Sequence, residues 1–189
     1  MLKTPAFVAG LCLAALATPA AADPYDDFLQ LCVASGGDVA AAEAGARAAG
    51  FGDAPLAVSR AYRLEDFPQS TALTRSAGTA TEVFIVGTAP RADFDGMTGT
   101  TCIVLAPGLD PASVETRLTE KLNFPPFDDG PADAPMWYLS GGPDVWRSEP
   151  QLAGSTDDQI AEVARLRPVS IFAIVPGGDF TALMYGTLK

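Results

Sequence analysis

Apolar residues gather in a few periodic runs, and the period of each run predicts its element. The run Thr100–Pro107, TTCIVLAP, is short and rich in β-branched residues. Gly99 precedes it and Gly108 follows it, so it reads as a buried strand. Thr71–Ser76 and Thr81–Gly87 predict a hairpin turning at Ala77-Gly78. The second of these, within TEVFIVGT, is apolar on both faces, as expected of a strand covered on both sides. The connection Ala89–Gly99 is short, which favours antiparallel pairing with the Cys102 strand. Met136–Ser140 predicts a further short strand. Val169–Val175 sets Val169, Ile171, Ala173 and Val175 against Ser170, Phe172 and Ile174, turns at Pro176–Asp179, and returns as Phe180–Thr187.

Other runs follow the helical period. Tyr25, Phe28, Leu29, Cys32 and Val33 recur at spacings of three and four, with Asp23 as N-cap and Pro24 at the first helical position. Asp38 opens a second helix, VAAAEAGARAA, with Gly50 at C′ and Phe51 as the accompanying apolar contact. Asp23–Gly50 thus reads as a helical hairpin. Val114, Leu118 and Leu122 form a stripe behind the cap Asp110-Pro111, on a helix that Pro125 stops. Ser155 or Thr156 caps a helix over Asp157–Leu166, whose acidic start and Arg165 suit the helix dipole. Phe51–Gln69 reads as a loop with a helical turn near Val58–Tyr62. Asn123–Pro135 holds four prolines and is neither helix nor central strand. The pattern leaves the segment around Trp146 unassigned. These elements predict an α+β fold: an antiparallel β-sheet with helices packed on it and an N-terminal helical hairpin.

The first 22 residues have a different character. Lys3 supplies a basic start, Ala6–Ala17 an apolar stretch, and Ala20-Ala21-Ala22 the small-residue cleavage pattern of a signal peptide. The mature chain is therefore expected to begin at Asp23, with cleavage between Ala22 and Asp23. The apolar stretch is shorter than the roughly 20 residues of a spanning helix. Cys12 lies inside it after Leu11, where a lipid-modification site requires a small residue. Residues 23–189 then form one α+β domain of 189 − 22 = 167 residues, enough for a sizeable core. Without Lys3 the formal charge is 11 − 23 = −12. So acidic a chain disfavours nucleic acid and anionic lipid as partners, and stable membrane insertion is not expected.

Two cysteines, Cys32 and Cys102, remain after cleavage. In an exported protein such a pair forms a disulfide; two buried free thiols are the alternative. The chain contains no histidine. That removes Ser-His-Asp and Cys-His systems, the usual zinc sites and His-ligated haem. A Ser-Lys dyad would have to use Lys121, on the polar side of its helix, or the C-terminal Lys189, and neither is placed for desolvation. Paired carboxylates are the remaining catalytic option: Asp93 with Asp95, and Asp128 with Asp129 or Asp133, at the right separation for a hydrolase. Asp93-Phe94-Asp95-Gly96 lacks the later acidic ligands of a calcium loop and reads as a solvated loop. No metal or cofactor is expected, and no catalytic residue is assigned.

The most suggestive surface residues are aromatic. Phe124, Phe127, Trp137 and Trp146, with Met136 and Tyr138, gather around proline-rich loops and are the candidate binding residues. The stretch DFLQLCVASGGDVAAAEAGARAAGF resembles a group of small exported bacterial proteins of unassigned function. The shared pattern is an aromatic, then CV, a Gly-Asp turn, and an Ala-rich helix ending in Gly-aromatic. The resemblance implies a bacterial envelope setting and supplies no catalytic residue. The expected function is that of an exported, periplasmic or secreted, non-enzymatic protein that binds an envelope protein or a small ligand. The alternatives are a carboxylate-dependent hydrolase or a structural assembly subunit.

Overall fold

In the computed structural model, the described residues form eight strands interspersed with helices. The structure describes residues 23–61, 69–90, 98–127, 130, 134–143 and 145–188. The predicted signal peptide and the carboxylate pairs at 93/95 and 128/129/133 lie outside them. The strands are β1 (Gly52–Asp53), β2 (Thr71–Ala77), β3 (Ala80–Pro90), β4 (Thr98–Pro107), β5 (Met136–Gly142), β6 (Val145–Ser148), β7 (Val169–Pro176) and β8 (Phe180–Leu188). They form a single sheet in the order β1-β2-β3-β4-β8-β7-β5-β6, and every adjacent pair is antiparallel. The C-terminal hairpin joins the two halves, because β8 pairs with β4 on one side and β7 with β5 on the other. The fold is α+β.

Strand alternation divides the side chains between two faces. Leu73, Phe84, Val86, Cys102, Val104, Trp137, Leu139, Phe172, Ile174, Leu183 and Tyr185 point to one face, here called the front, and enter one core. The front is covered by α1 (Pro24–Asp27), which runs on into a π-helical stretch over Phe28–Val33, and by α2 (Val39–Ala48) and α4 (Pro111–Leu122). The back face holds two smaller clusters. One packs Tyr138, Val169 and Leu188 against Leu152 and against Ile160, Ala161 and Ala164 of α5 (Asp157–Leu166). The other joins Val83, Ile85, Leu105 and Ala182, with Val58 of α3 (Leu56–Ala61) packed against them. The central strands β3 and β4 therefore contribute apolar residues to both faces, which explains why TEVFIVGT lacks a polar side.

The caps act where the sequence places them. Asp23, Asp38 and Asp110 accept hydrogen bonds from the backbone amides of Tyr25, Ala41 and Ser113. Thr156 and Gln159 form a reciprocal capping box. Gly50, at φ +90°, donates to Arg47 O while Phe51 donates to Ala46 O, the paired bonds of a Schellman ending. Val114, Leu118 and Leu122 are all buried, each worth roughly 1.5–3 kcal/mol of apolar transfer.

Four sequence expectations are refined. Asn123, left-handed at φ +64°, ends α4 before Pro125 is reached. Among the described residues of Phe51–Gln69, the helical turn expected near Val58–Tyr62 is α3, and the short strand β1 precedes it. The unassigned Trp146 segment is the edge strand β6. The first predicted helix is only four residues of α-helix before it widens into the π form, where Ala34 N donates to Leu29 O across five residues.

Cys32 lies in the π-helical stretch and Cys102 in the middle of β4, and the two form a disulfide, Cα–Cα 5.4 Å. Nearby, Thr100 and Thr187 face each other across β4 and β8 with hydroxyl oxygens 2.5 Å apart. Gly37 passes directly over them at φ +82°. A Cβ there would lie 2.5 Å from Thr187 Oγ1 and 2.6 Å from Thr100 Oγ1, so this close approach requires glycine.

Candidate functional site

The predicted aromatic cluster lies where α4 ends and the β5–β6 edge begins, but the sheet divides it. Along β5, Trp137 points to the front core and Met136 and Tyr138 to the back. Trp137 is completely buried, and its indole N–H donates to Phe124 O at 3.1 Å. Phe124 is half-buried beside it, just past the end of α4. Trp146 on β6 lies opposite Gly141 and meets Phe172 edge-on, with centroids 5.6 Å apart. Phe127 is bridged to Met136 and packs on Tyr138 behind the sheet, centroids 6.3 Å apart. Three of the four candidates are thus on the front side and Phe127 is on the back. Trp137 supports the surface from below and presents none of its own. Phe124, Trp146 and Phe127 remain partly accessible around the edge, where Val145 is 63% exposed.

Behind this edge lies a charged cluster that the sequence reading missed. Glu149 follows β6 and is buried. Arg167, just past α5, grips it with two bonds, Nε to Oε1 at 2.9 Å and Nη2 to Oε2 at 2.6 Å. The Ser140 hydroxyl donates to Oε1 and the Gln151 amide to Oε2. The Arg167 bonds, helped by those from Ser140 and Gln151, hold the Glu149 carboxyl at about 2 even though burial pushes it up.

A second cluster holds the opposite half of the sheet. Arg75 on β2 is directly across from Glu82 on β3. Its guanidinium bonds Glu82, with Nε to Oε2 at 2.9 Å, and also pairs with Asp27 of α1. It donates to Ala49 O at 3.2 Å and stacks over the Phe51 ring at 4.4 Å. Asp27 and Glu82 are both buried. The inward positions of β2 and β3 are otherwise occupied by Leu73, Phe84 and Val86, so charged residues at those alternating positions are the sequence signal that marks this cluster.

No protein-family model, curated protein or solved structure matches this chain.

The chemistry of the site has to be read from its own groups. Ser140 beside Glu149 has the outline of a nucleophile and a base. The carboxylate, however, has both oxygens occupied and a proton affinity far too low to take the serine proton at neutral pH. The cluster instead fastens the β5–β6 edge to the end of α5. Among the described residues, no three acidic or cysteine side chains converge as metal ligands would, and no helix is long and apolar enough to cross a membrane.

The Glu149 cluster makes stability depend on acid pH. Because folding lowers the carboxyl from an ordinary 4.5 to about 2, its contribution is full above about pH 4.5 and is lost as the pH falls through about 2. Arg167→Leu removes the main cause of that lowering. The stability gap between the natural protein and Arg167→Leu is expected to be larger at pH 6 than at pH 2 in urea titrations. An equal gap at both pH values would mean that Glu149 is not held by Arg167.

Proposed function

We propose that this chain is an exported, non-enzymatic binding protein of the periplasm or extracellular medium, released from its leader between Ala22 and Asp23. Its partner is an envelope protein or a small ligand. The observation that carries this reading is the buried Cys32–Cys102 disulfide, because such bonds form and persist in oxidising compartments. The leader pattern and the acidic charge support it. In this reading the Asp23–Gly50 helical hairpin, cross-linked to β4, is a rigid cover for the front core. The contact surface is the β5–β6 edge with Phe124, Phe127 and Trp146, stiffened from below by Trp137 and from behind by the Glu149 cluster. Trp146, held on β6, loses little side-chain entropy on contact, which suits it to anchor a partner.

The test is the protein recovered from the periplasm or medium of the organism that makes it. Its intact mass should begin at Asp23 and be two hydrogens light, and native mass spectrometry should show a retained ligand or stoichiometric partner. Trp146→Ala, checked for retained folding by thermal unfolding, should weaken that association by about tenfold or more. A partner bound equally well by Trp146→Ala would remove the edge as the contact surface. A chain still carrying its leader, found only in the cytoplasm, would remove the exported reading.

A further inference from the structure

The two ends of the sheet differ. At one end β1 is only two residues long, and its Asp53 is held by Arg47, Nη2 to Oδ1 at 2.9 Å. At the other end β6 pairs with β5 alone, and among the described residues no strand lies beyond it. Glu149 N donates to Tyr138 O at 2.8 Å just past the pairing of Ser148 with Leu139. Antiparallel neighbours alternate between bonded and unbonded pairs. Arg147, two residues before Glu149, therefore also bonds inward, across from Ser140. The backbone N–H and C=O groups of Trp146 and Ser148 turn away from β5 and form an open edge.

The side chains give that edge two chemically distinct faces. Trp146 lies on the front, half-buried against Phe172. Arg147 lies on the back with Ser140, whose hydroxyl reaches Glu149 there, and it is exposed. Arg47, Arg75, Arg117 and Arg167 each hold at least one carboxylate. Among the described residues Arg147 holds none, although acidic residues outnumber basic ones by 23 to 12 in the chain. Glu149 does not serve it, because Arg167 already bonds both of its oxygens. A second copy of the chain is a poor occupant. Two β6 strands bonded through Trp146 and Ser148 would set the two Arg147 side chains directly opposite each other, and like charges so placed repel.

We infer that β6 takes up an extended segment of the partner as a further, antiparallel strand, with apolar side chains on the front beside Trp146 and a carboxylate on the back against Arg147. This rests on the binding reading above and names the chemistry of the partner. Backbone bonds to Trp146 and Ser148 supply affinity, and the alternation of apolar and acidic side chains supplies selection. The residues opposite Trp146 and Ser148 share the front face with them and point their own N–H groups at β6. The added strand therefore bonds through its apolar residues, while the N–H groups of its acidic residues point outward.

The probe is a short acetylated, amidated peptide of alternating valine and glutamate, titrated at low salt into the oxidised protein. Amide hydrogen exchange followed by NMR should slow at Trp146 and Ser148. N-methylation of the valines should abolish binding, and N-methylation of the glutamates should leave it intact. Replacing glutamate by lysine should weaken binding about fivefold, and Arg147→Glu should reverse that preference. Ser148→Pro removes an outward N–H and leaves the β5 ladder whole, so it should keep the natural melting temperature and weaken the peptide about tenfold or more. No binding, equal tolerance of both N-methylated peptides, or slowed exchange only elsewhere on the molecule would overturn strand addition. Equal binding of the glutamate and lysine peptides would overturn the acidic partner. A natural partner that still binds Ser148→Pro but is lost with Trp146→Ala would overturn the inference and leave the binding reading standing. Failure to bind the peptide together with failure to recover any partner would overturn both.

Discussion

Arg75→Met is expected to destabilise the domain by about 3–5 kcal/mol. Asp27 and Glu82 are both buried, and Arg75 is the cation that bonds each of them. Methionine preserves most of the side-chain volume but leaves two carboxylates facing each other in a dry site. Their desolvation penalty then stands without the attraction that offset it. The loss extends to Ala49 O and the Phe51 ring, which the guanidinium also contacts, so the end of α2 should loosen as well. Urea unfolding would show the midpoint fall with little change in slope. Arg75→Lys should recover part of the loss, since an ammonium restores the charge but lacks the planar fork that reaches Glu82, Asp27 and Ala49 O together. The triple variant Asp27→Leu/Arg75→Met/Glu82→Leu should recover most of it, because an apolar replacement removes the buried charges along with their counter-ion. If Arg75→Met alone unfolds at the natural midpoint, the cluster carries no stability.

Removing the disulfide is the second large effect. Cys32→Ala/Cys102→Ala should cost about 4 kcal/mol, the chain-entropy figure for a bond closing a loop of this length; the cysteines are 70 residues apart in sequence. The bond ties the π-helical stretch to the middle of the sheet, so its loss frees the front cover to separate from β4 in the unfolded ensemble. Both cysteines are buried among Phe84, Val86, Val104 and Tyr185. Thiol reductants should therefore leave the native bond intact in water and open it only where denaturant exposes it. Mass spectrometry after alkylation across a urea series would follow this. Reduction in the absence of denaturant, with no loss of structure, would show that the bond is neither buried nor stabilising.

Much of the architecture was legible in short windows of sequence. The caps Asp23, Asp38, Asp110 and Thr156 satisfy amides two or three residues away, so their roles follow from local chemistry. The alternation of Val169–Val175 and the stripe Val114, Leu118, Leu122 report one buried face each. The disulfide was legible for a different reason: with the expected leader and its Cys12 set aside, Cys32 and Cys102 have only each other as partner. The π form of the first helix was not legible, because Tyr25, Phe28, Leu29, Cys32 and Val33 recur at the ordinary helical spacings of three and four. The split of the aromatic cluster was half legible. Trp137 and Tyr138 are neighbours on a strand and must point to opposite faces, but which face held the larger core depended on elements far along the chain.

Local patterns predicted most of the helices and strands and the apolar character of the central strands. They did so because hydrogen-bond caps, turn glycines and side-chain periods act within a few residues. The order of the strands, the insertion of β8 between β4 and β7, and the two arginine clusters came from the folded state. Asp27 meets Arg75 across 48 residues, and Thr100 meets Thr187 across 87. Arg75 and Glu82 stand out locally as charges at inward positions of their strands, but nothing in either window names Asp27 as their partner, and nothing near Thr100 names Thr187. What makes Asp27, Glu82 and Glu149 different is burial beside an arginine, and burial is a property of the packed sheet and its helices together.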